Sequence, residues 1–484
     1  MRALSRPWLT TAALVLSLTL HLSDGFYHEP TLAWLALALL AATLGVAGVT
    51  WPWDRDSDAG EVITRGLLKV GVLVSALAMV TRPLARYMAD PRPWAHPELL
   101  LTVAAAVVIA LGAVAADSAT GRRRAAIGLA AVTLWLGAWT VRESPRPHID
   151  VIPVHVDAFA ALGRLESPYG ITFADMYDAN EPFYSPEMRD GKRVLFGFPY
   201  PPLSLALAWP GHALLGDLRY GEALALAVTI GVLAWMGGSV GILCGAVLLL
   251  SPRLVFHIEQ GWTEPFPIVL LAATVATALR RPAIGWLPLG LLMASKQHMV
   301  LGLLFVPMLV PRDQAQVLGK VYGKAVAMFA LKAILVAAAV TLPLALLDVD
   351  AFIRSAVLLQ LREPFRLDSL SFTRLFVAHG WPLDKHGALY VSLLAGMAGL
   401  GLSWWRAPRT PAGFAASLGL TCFFLTAFGK KAFLNYYFLV FAALLIAIAA
   451  DRRQARHAGR VPGQADGAGA AARLSKVAGL IRPQ

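Results

Sequence analysis

The stretch "PYPPLSLALAWPGHALLGD", residues 199–217, decides how this chain is threaded. It is apolar enough to resemble a membrane span, yet it carries Pro199, Pro201, Pro202, Pro210 and Gly211. Proline removes a backbone donor and breaks a helix interior. In hydrocarbon, broken backbone persists only where protein or a water-filled cavity covers it. A crossing helix and a broken, re-entrant element therefore put every later segment on opposite sides of the membrane.

The rest of the chain sets the terms of that choice. Of 484 residues, 57% are hydrophobic and only 15% charged, and apolar runs recur near the length that spans a hydrocarbon core of about 30 Å. The runs are continuous in Leu, Ala and Val, where a barrel would show short alternating segments. The expected fold class is all-α, a polytopic transmembrane helical bundle. A formal charge of +12 would suit a nucleic-acid partner if it formed a surface, but Arg and Lys gather at "GRRR" (121–124), "RR" (280–281), "WRAPR" (405–409) and "DRRQARHAGR" (451–460). That is the pattern of cytoplasmic loops beside membrane lipids, with no nucleic acid expected. Cys244 and Cys422 lie within apolar segments, so no disulfide framework or cysteine metal site is indicated. The opening "MRALSRPWLTTAALVLSLTLHLSDG" has a basic flank but no small-x-small cleavage site, and reads as a first transmembrane helix.

Spans are expected near 8–23, 31–50, 66–81, 98–116 and 125–141. With Arg2 and Arg6 inside, the fifth ends outside, and residues 142–200 become a large external loop. Arg82, Arg86 and Arg92 fall on the outer side and run against the rule. The later basic segments, including "PRDQAQVLGKVYGK" (311–324), all reach the inner side only if 199–217 does not cross. A second anomaly is "GWLPLGLLMASKQHMVLGLLFVPMLV" (285–310), too long for one span and too short for two. It is expected to be a short hairpin with Lys296, Gln297 and His298 at a tip lining a cavity. An intramembrane Lys is a functional hypothesis by default. This division gives N-terminal helices over 1–141, an external loop over 142–200, a core with re-entrant elements over 201–450, and a disordered basic tail over 451–484.

Under this threading five polar clusters share one side: "HIDVIPVHVD" (148–157), "FHIEQGWTEP" (256–265), "SKQH" (295–298), "LREPFRLDSLS" (361–371) and "FGKKAFLNYY" (428–437). Asp150 and Asp157 are seven residues apart, one helical face and about 10 Å along an axis. Pro153 belongs in a first turn, so the amphipathic helix is expected to start near it, with Asp150 just ahead and Asp157 inside. Asp150 is then suited to general-base work on an acceptor hydroxyl, against the alternative of a helix cap or surface charge. Lys296, His298, Lys430, Lys431, Arg362 and Arg366 supply positive charge suited to a lipid-linked phosphate. Snorkelling is the plain alternative for Lys430 and Lys431. Glu259 and Glu264, with Gln260, are candidates for sugar hydroxyls or for pairing with those cations. Trp262 and Tyr436 are candidates for stacking on a sugar, against the interfacial aromatic belt. No Walker motif, dinucleotide fingerprint or convincing metal spacing occurs, so neither a cofactor nor a metal is expected, and His148 and His155 stay unassigned.

The run "HIDVIPVHVDAFAALGRLESPYG" (148–170) resembles the aspartate, amphipathic helix and "G-x-x-PY" of glycosyltransferase family 87, polyprenyl-phosphate-mannose-dependent enzymes of the C-type glycosyltransferase fold, with Leu165 where the glycine is usual. "FGFPYPPLSL", "EQGWTEP", "ASKQHMVL", "EPFRLDSLS" and "KKAFLNYYF" are similar to segments of that broad group. The resemblance covers roughly 145–450. It implies inverting transfer of a sugar, most commonly mannose, from a polyprenyl-phosphate donor to a lipid or glycan acceptor on the outer face of a bacterial cytoplasmic membrane. It also implies Asp150 as base, Asp157 as runner-up, and Lys296, His298, Lys430 or Lys431 near the phosphate. Gln297, Asn435 and Tyr200 join the sugar or acceptor candidates within these segments. A transporter or lipid flippase is the competing class.

Overall fold

The computed structural model describes residues 3–52, 59–177, 183–311 and 319–458, with the side chains of 319–320 and 452–458 outside that description. Most of it is helix. Among the described residues eight helices are long and apolar enough to cross a membrane: Glu29–Ala47, Ala59–Met79, Pro97–Ala116, Ala119–Glu143, Arg219–Gly237, Val321–Ala345, Lys385–Arg406 and Leu434–Asp451. The chain is a multi-pass, all-α bundle. An 18-residue helix, Arg6–Ser23, precedes these eight and packs against Glu29–Ala47 and against Leu434–Ala458. The one sheet among the described residues is small, pairing Phe173–Ala174 and Arg189–Asp190 antiparallel with Arg193–Val194 in the segment after residue 142. No feature of the sequence announced it.

The ends of the helices follow their residues. Ser118, Asp384 and Thr410 accept backbone N–H groups at helix starts, and prolines occupy first turns at Glu29–Ala47, Pro97–Ala116 and Pro411–Ala427, where the missing donor is harmless. The helix Leu434–Ala458 is the spine. Its side chains from Tyr437 to Ala450 are almost wholly buried, as expected for an element surrounded by other helices. That helix continues to Ala458, so the expected disordered tail begins no earlier than 459. Residues 459–484 and 312–318 lie outside the described part.

Helix Pro202–Leu215 keeps to one end of the bundle. It begins beside Tyr200 and ends at Gly216, which takes a left-handed φ of 79°. Three residues on, Arg219 donates from Nη1 to the carbonyls of Ser144 at 2.9 Å and Glu259 at 3.4 Å. Ser144 follows the helix Ala119–Glu143, at the same end of the bundle as Tyr200. Both ends of the helix with Pro210 inside it therefore lie at one end of the bundle. It is a continuous short helix, where a broken one was expected.

The stretch 285–310 is a hairpin. Helix Trp286–Ser295 and the 3₁₀ helix Gln297–Met308 run antiparallel, with Leu289 packed on Gly302. Lys296 between them is extended, at φ −155° and ψ 141°. A 3₁₀ helix rises about 2.0 Å per residue, so its limb reaches about 24 Å. The 26 residues suffice for two limbs because the ten-residue helical limb rises only about 15 Å and neither limb has to be a full span. At the far end of the bundle Ser239 bonds Asp117 at 2.8 Å, Arg6 lies 3.6 Å from Asp451, and Arg280 sits over the Trp235 ring.

Candidate functional site

The five polar clusters meet. A cavity of about 330 Å³ opens at one end of the bundle, within the range of small-molecule sites. It is lined by His148, Ile149 and Asp150 from the first cluster, Phe256, Gln260 and Trp262 from the second, and Lys296 from the hairpin tip. Glu363, Arg366 and Asp368 come from the fourth, and Lys431, Phe433, Asn435 and Tyr436 from the fifth. Tyr200 also lines it, with Phe26, Arg86, Tyr87, Tyr177, Phe183 and Tyr184, residues that sequence reading left out.

Asp150 stands just ahead of helix Val151–Gly163, and Pro153 is the third residue of that helix. It makes no side-chain cap bond, so the capping alternative fails. Instead Oδ2 accepts the Tyr184 hydroxyl, and the Asp150 amide donates to the Tyr177 hydroxyl at 3.1 Å. Burial, and then the Asp150 charge, push both phenols above their ordinary range, so both stay protonated. Asp150 is half-buried and lines the cavity. Asp157 is exposed and does not. Two turns carry it about 10 Å along the axis, past the cavity.

Lys296 is buried and ion-pairs with Glu264, itself fully buried, and its Nζ lies 3.4 Å from the Thr263 hydroxyl. Its ammonium sits 5.6 Å from the Tyr200 ring centre and 5.7 Å from that of Tyr436. Asn435 donates Nδ2 to the same Glu264 oxygen at 2.8 Å, and His257 Nε2 lies 4.0 Å from the other. Glu264 thus serves beneath the floor as the partner of Lys296, the pairing expectation. Arg366 forms a two-bond fork with Asp368, at 2.8 and 2.6 Å, between the rings of Phe183 and Phe433. Lys431 bonds Glu363 at 2.6 Å.

Other candidates are framework. Glu259 accepts the amides of Arg86 and Tyr87 at 2.7 and 2.8 Å and the Ser144 hydroxyl at 2.8 Å. It is fully buried and faces the 80–96 connection, away from the cavity lining. Gln297 ties two carbonyls, Pro199 at 2.7 Å and Ala356 at 3.0 Å. Lys430 donates to the carbonyls of Leu361 and Glu363 at 3.1 and 2.7 Å. Arg362 is exposed outside the cavity, and His298 lies behind Tyr436 with ring centres 6.3 Å apart. Of the two unassigned histidines, His148 lines the cavity between Tyr87 and Tyr177. His155 is buried on the Val151 carbonyl at 2.7 Å, and burial pushes it down to about 4. Among the described residues no three of His, Cys, Asp and Glu gather as metal ligands.

No family model, curated protein or solved structure matches the chain. The site must therefore be judged on its chemistry. The cavity offers a carboxylate held by the Tyr184 hydroxyl, on a backbone whose amide donates to Tyr177, together with carboxylate-paired cations, and aromatic rings occupy much of the wall. Hydroxyl deprotonation, anion contact and ring stacking are all available to one ligand.

Proposed function

We propose that this protein is an inverting glycosyltransferase of the C-type fold, using a polyprenyl-phosphate sugar at an extracytoplasmic cavity of a bacterial cytoplasmic membrane. Mannose is the favoured sugar, and the acceptor is a lipid or glycan hydroxyl. The observation that carries the reading is Asp150, a carboxylate free of any cation among the described residues, oriented by Tyr177 and Tyr184 in an aromatic cavity at one end of an apolar bundle. Leu165 adds support. It has a left-handed φ of 60°, a conformation that glycine adopts without strain, at the position where the resembling family carries glycine.

In this mechanism Asp150 takes the acceptor hydroxyl proton as the oxygen attacks the anomeric carbon. The bond from that carbon to the phosphate oxygen breaks, and the polyprenyl phosphate leaves with the electron pair. A single displacement inverts the anomeric centre. The floor positions the sugar against Tyr200, Trp262 and Tyr436.

The test is transfer of labelled sugar from a synthetic polyprenyl-phosphate donor by the purified full chain in lipid. Asp150→Asn should lower the rate about 10²–10⁴-fold, the usual contribution of a general base, with unchanged folding, while Asp157→Asn stays at the wild-type rate. Full activity of Asp150→Asn removes the assignment. Label carried across sealed vesicles without transfer would favour a transporter.

A further inference from the structure

The charges lining the cavity are paired, with one of each sign left over. Lys296 is tied to Glu264, Arg366 to Asp368 and Lys431 to Glu363. A carboxylate in contact with each cation largely cancels its field on an incoming anion. The leftover groups are Asp150 and Arg86, neither of which has an ion-pair partner among the described residues.

Arg86 is placed by its backbone. Its own amide and that of Tyr87 donate to the buried Glu259, which also holds the Ser144 hydroxyl. That clamp fixes the chain at the cavity edge without using the side chain. The guanidinium lies 6.0 Å from the Phe26 ring centre and 5.9 Å from that of Tyr87, and the residue is exposed. It lines the same cavity as Asp150, and among the described residues no hydrogen bond occupies its side-chain donors.

We propose that Arg86 binds the phosphate of the lipid-linked donor, the role the sequence pattern gave to Lys296, Lys431 and Arg366. The assignment rests on the lipid-phosphate donor reading above. A guanidinium offers parallel N–H donors that match two phosphate oxygens. As the bond to the sugar breaks, its electron pair stays on the phosphate oxygen and the phosphate gains a negative charge. The hydrogen bonds from Arg86 strengthen at that moment, which is when they accelerate the step. The carboxylate-paired cations then shape the floor.

The experiment uses the full chain in nanodiscs, titrated with a short-chain polyprenyl phosphate carrying no sugar and with the matching polyprenol. Wild type should prefer the phosphate. Arg86→Gln should lose roughly 10- to 100-fold of its affinity, the size of one deleted charge-assisted contact, and bind phosphate and alcohol alike, while Arg86→Lys retains part. Independently of any variant, polyprenyl phosphate should protect Arg86 from phenylglyoxal, read by mass spectrometry. If wild type prefers the phosphate but Arg86→Gln is unimpaired, or Arg86 is unprotected, the Arg86 assignment falls and the donor reading stands. If wild type does not distinguish phosphate from alcohol, both fall.

Discussion

Replacing Lys296 with methionine keeps the apolar stem and removes the charge, which makes the buried ion pair measurable. Glu264 is fully buried, so without the ammonium its carboxylate is left with the Asn435 amide at 2.8 Å and no cation in contact. Removing one partner of a buried pair costs about 3–5 kcal/mol, most of it from the charge left behind. Neutralising that charge with Glu264→Gln should recover most of the loss, because the glutamine carbonyl still accepts from Asn435. The double variant Lys296→Met/Glu264→Gln should therefore lie only about 1–2 kcal/mol below wild type, the remainder reflecting lost contacts of the ammonium over Tyr200 and Tyr436. Denaturant titration in mixed micelles, followed by tryptophan fluorescence, measures wild type, both single variants and the double. Strictly additive losses would refute the pairing. Activity then separates two roles: a double variant that is stable and active makes Lys296 scaffold, and one that is stable and inactive makes it a substrate contact.

Three further outcomes are expected. Tyr184→Phe deletes the hydroxyl that holds Asp150 Oδ2 and should lower kcat about tenfold, a charge-assisted bond being worth about 1.5–3 kcal/mol, with donor KM nearly unchanged. An equal loss in donor affinity would contradict an orienting role. Glu259→Ala orphans the amides of Arg86 and Tyr87 and the Ser144 hydroxyl. It should destabilise by about 3 kcal/mol or more and expose the 80–96 connection to proteolysis, whereas unchanged stability and unchanged protease resistance would refute the clamp. Leu165→Gly should stabilise by about 0.5–1 kcal/mol, because relief of a left-handed backbone, about 1–2 kcal/mol, exceeds the entropy glycine adds to the unfolded chain, and Leu165 is 92% exposed with no burial to lose. A destabilised variant would show that the side chain is packed in the native protein.

The convergence of five polar clusters was legible because charge parity across a membrane is a counting constraint: once residues 199–217 were held to one side, every cluster had to share an end. The 3₁₀ limb was not legible, since residue spacing does not reveal its longer rise. Asp150 was found from its place before Pro153, whereas its holders Tyr177 and Tyr184 lie far downstream with no motif to link them. Glu259 and Glu264 look alike in "EQGWTEP". Only the short helix Leu254–Glu259 turns the first toward the 80–96 connection and leaves the second under Lys296. Arg86 was hidden among Arg82 and Arg92, which the positive-inside rule treats alike. In the structure Arg82 donates to the His21 carbonyl and Arg92 forks onto Asp90, so one of three similar residues is left to face the cavity.

The short hairpin has an electrical consequence. Its limb Trp286–Ser295 has ten residues and rises about 15 Å, near half the thickness of a hydrocarbon core. With the hairpin inserted from the face opposite the cavity, as the proposed function has it, the insulating layer beneath Lys296 is correspondingly thin, and a transmembrane voltage falls mainly across that remaining layer. A charged group resting on the hairpin tip shares the potential of the compartment into which the cavity opens. The proposed transfer there does no work against the voltage, whereas carrying one charge through to the far compartment would involve about 2.3 kcal/mol per 100 mV.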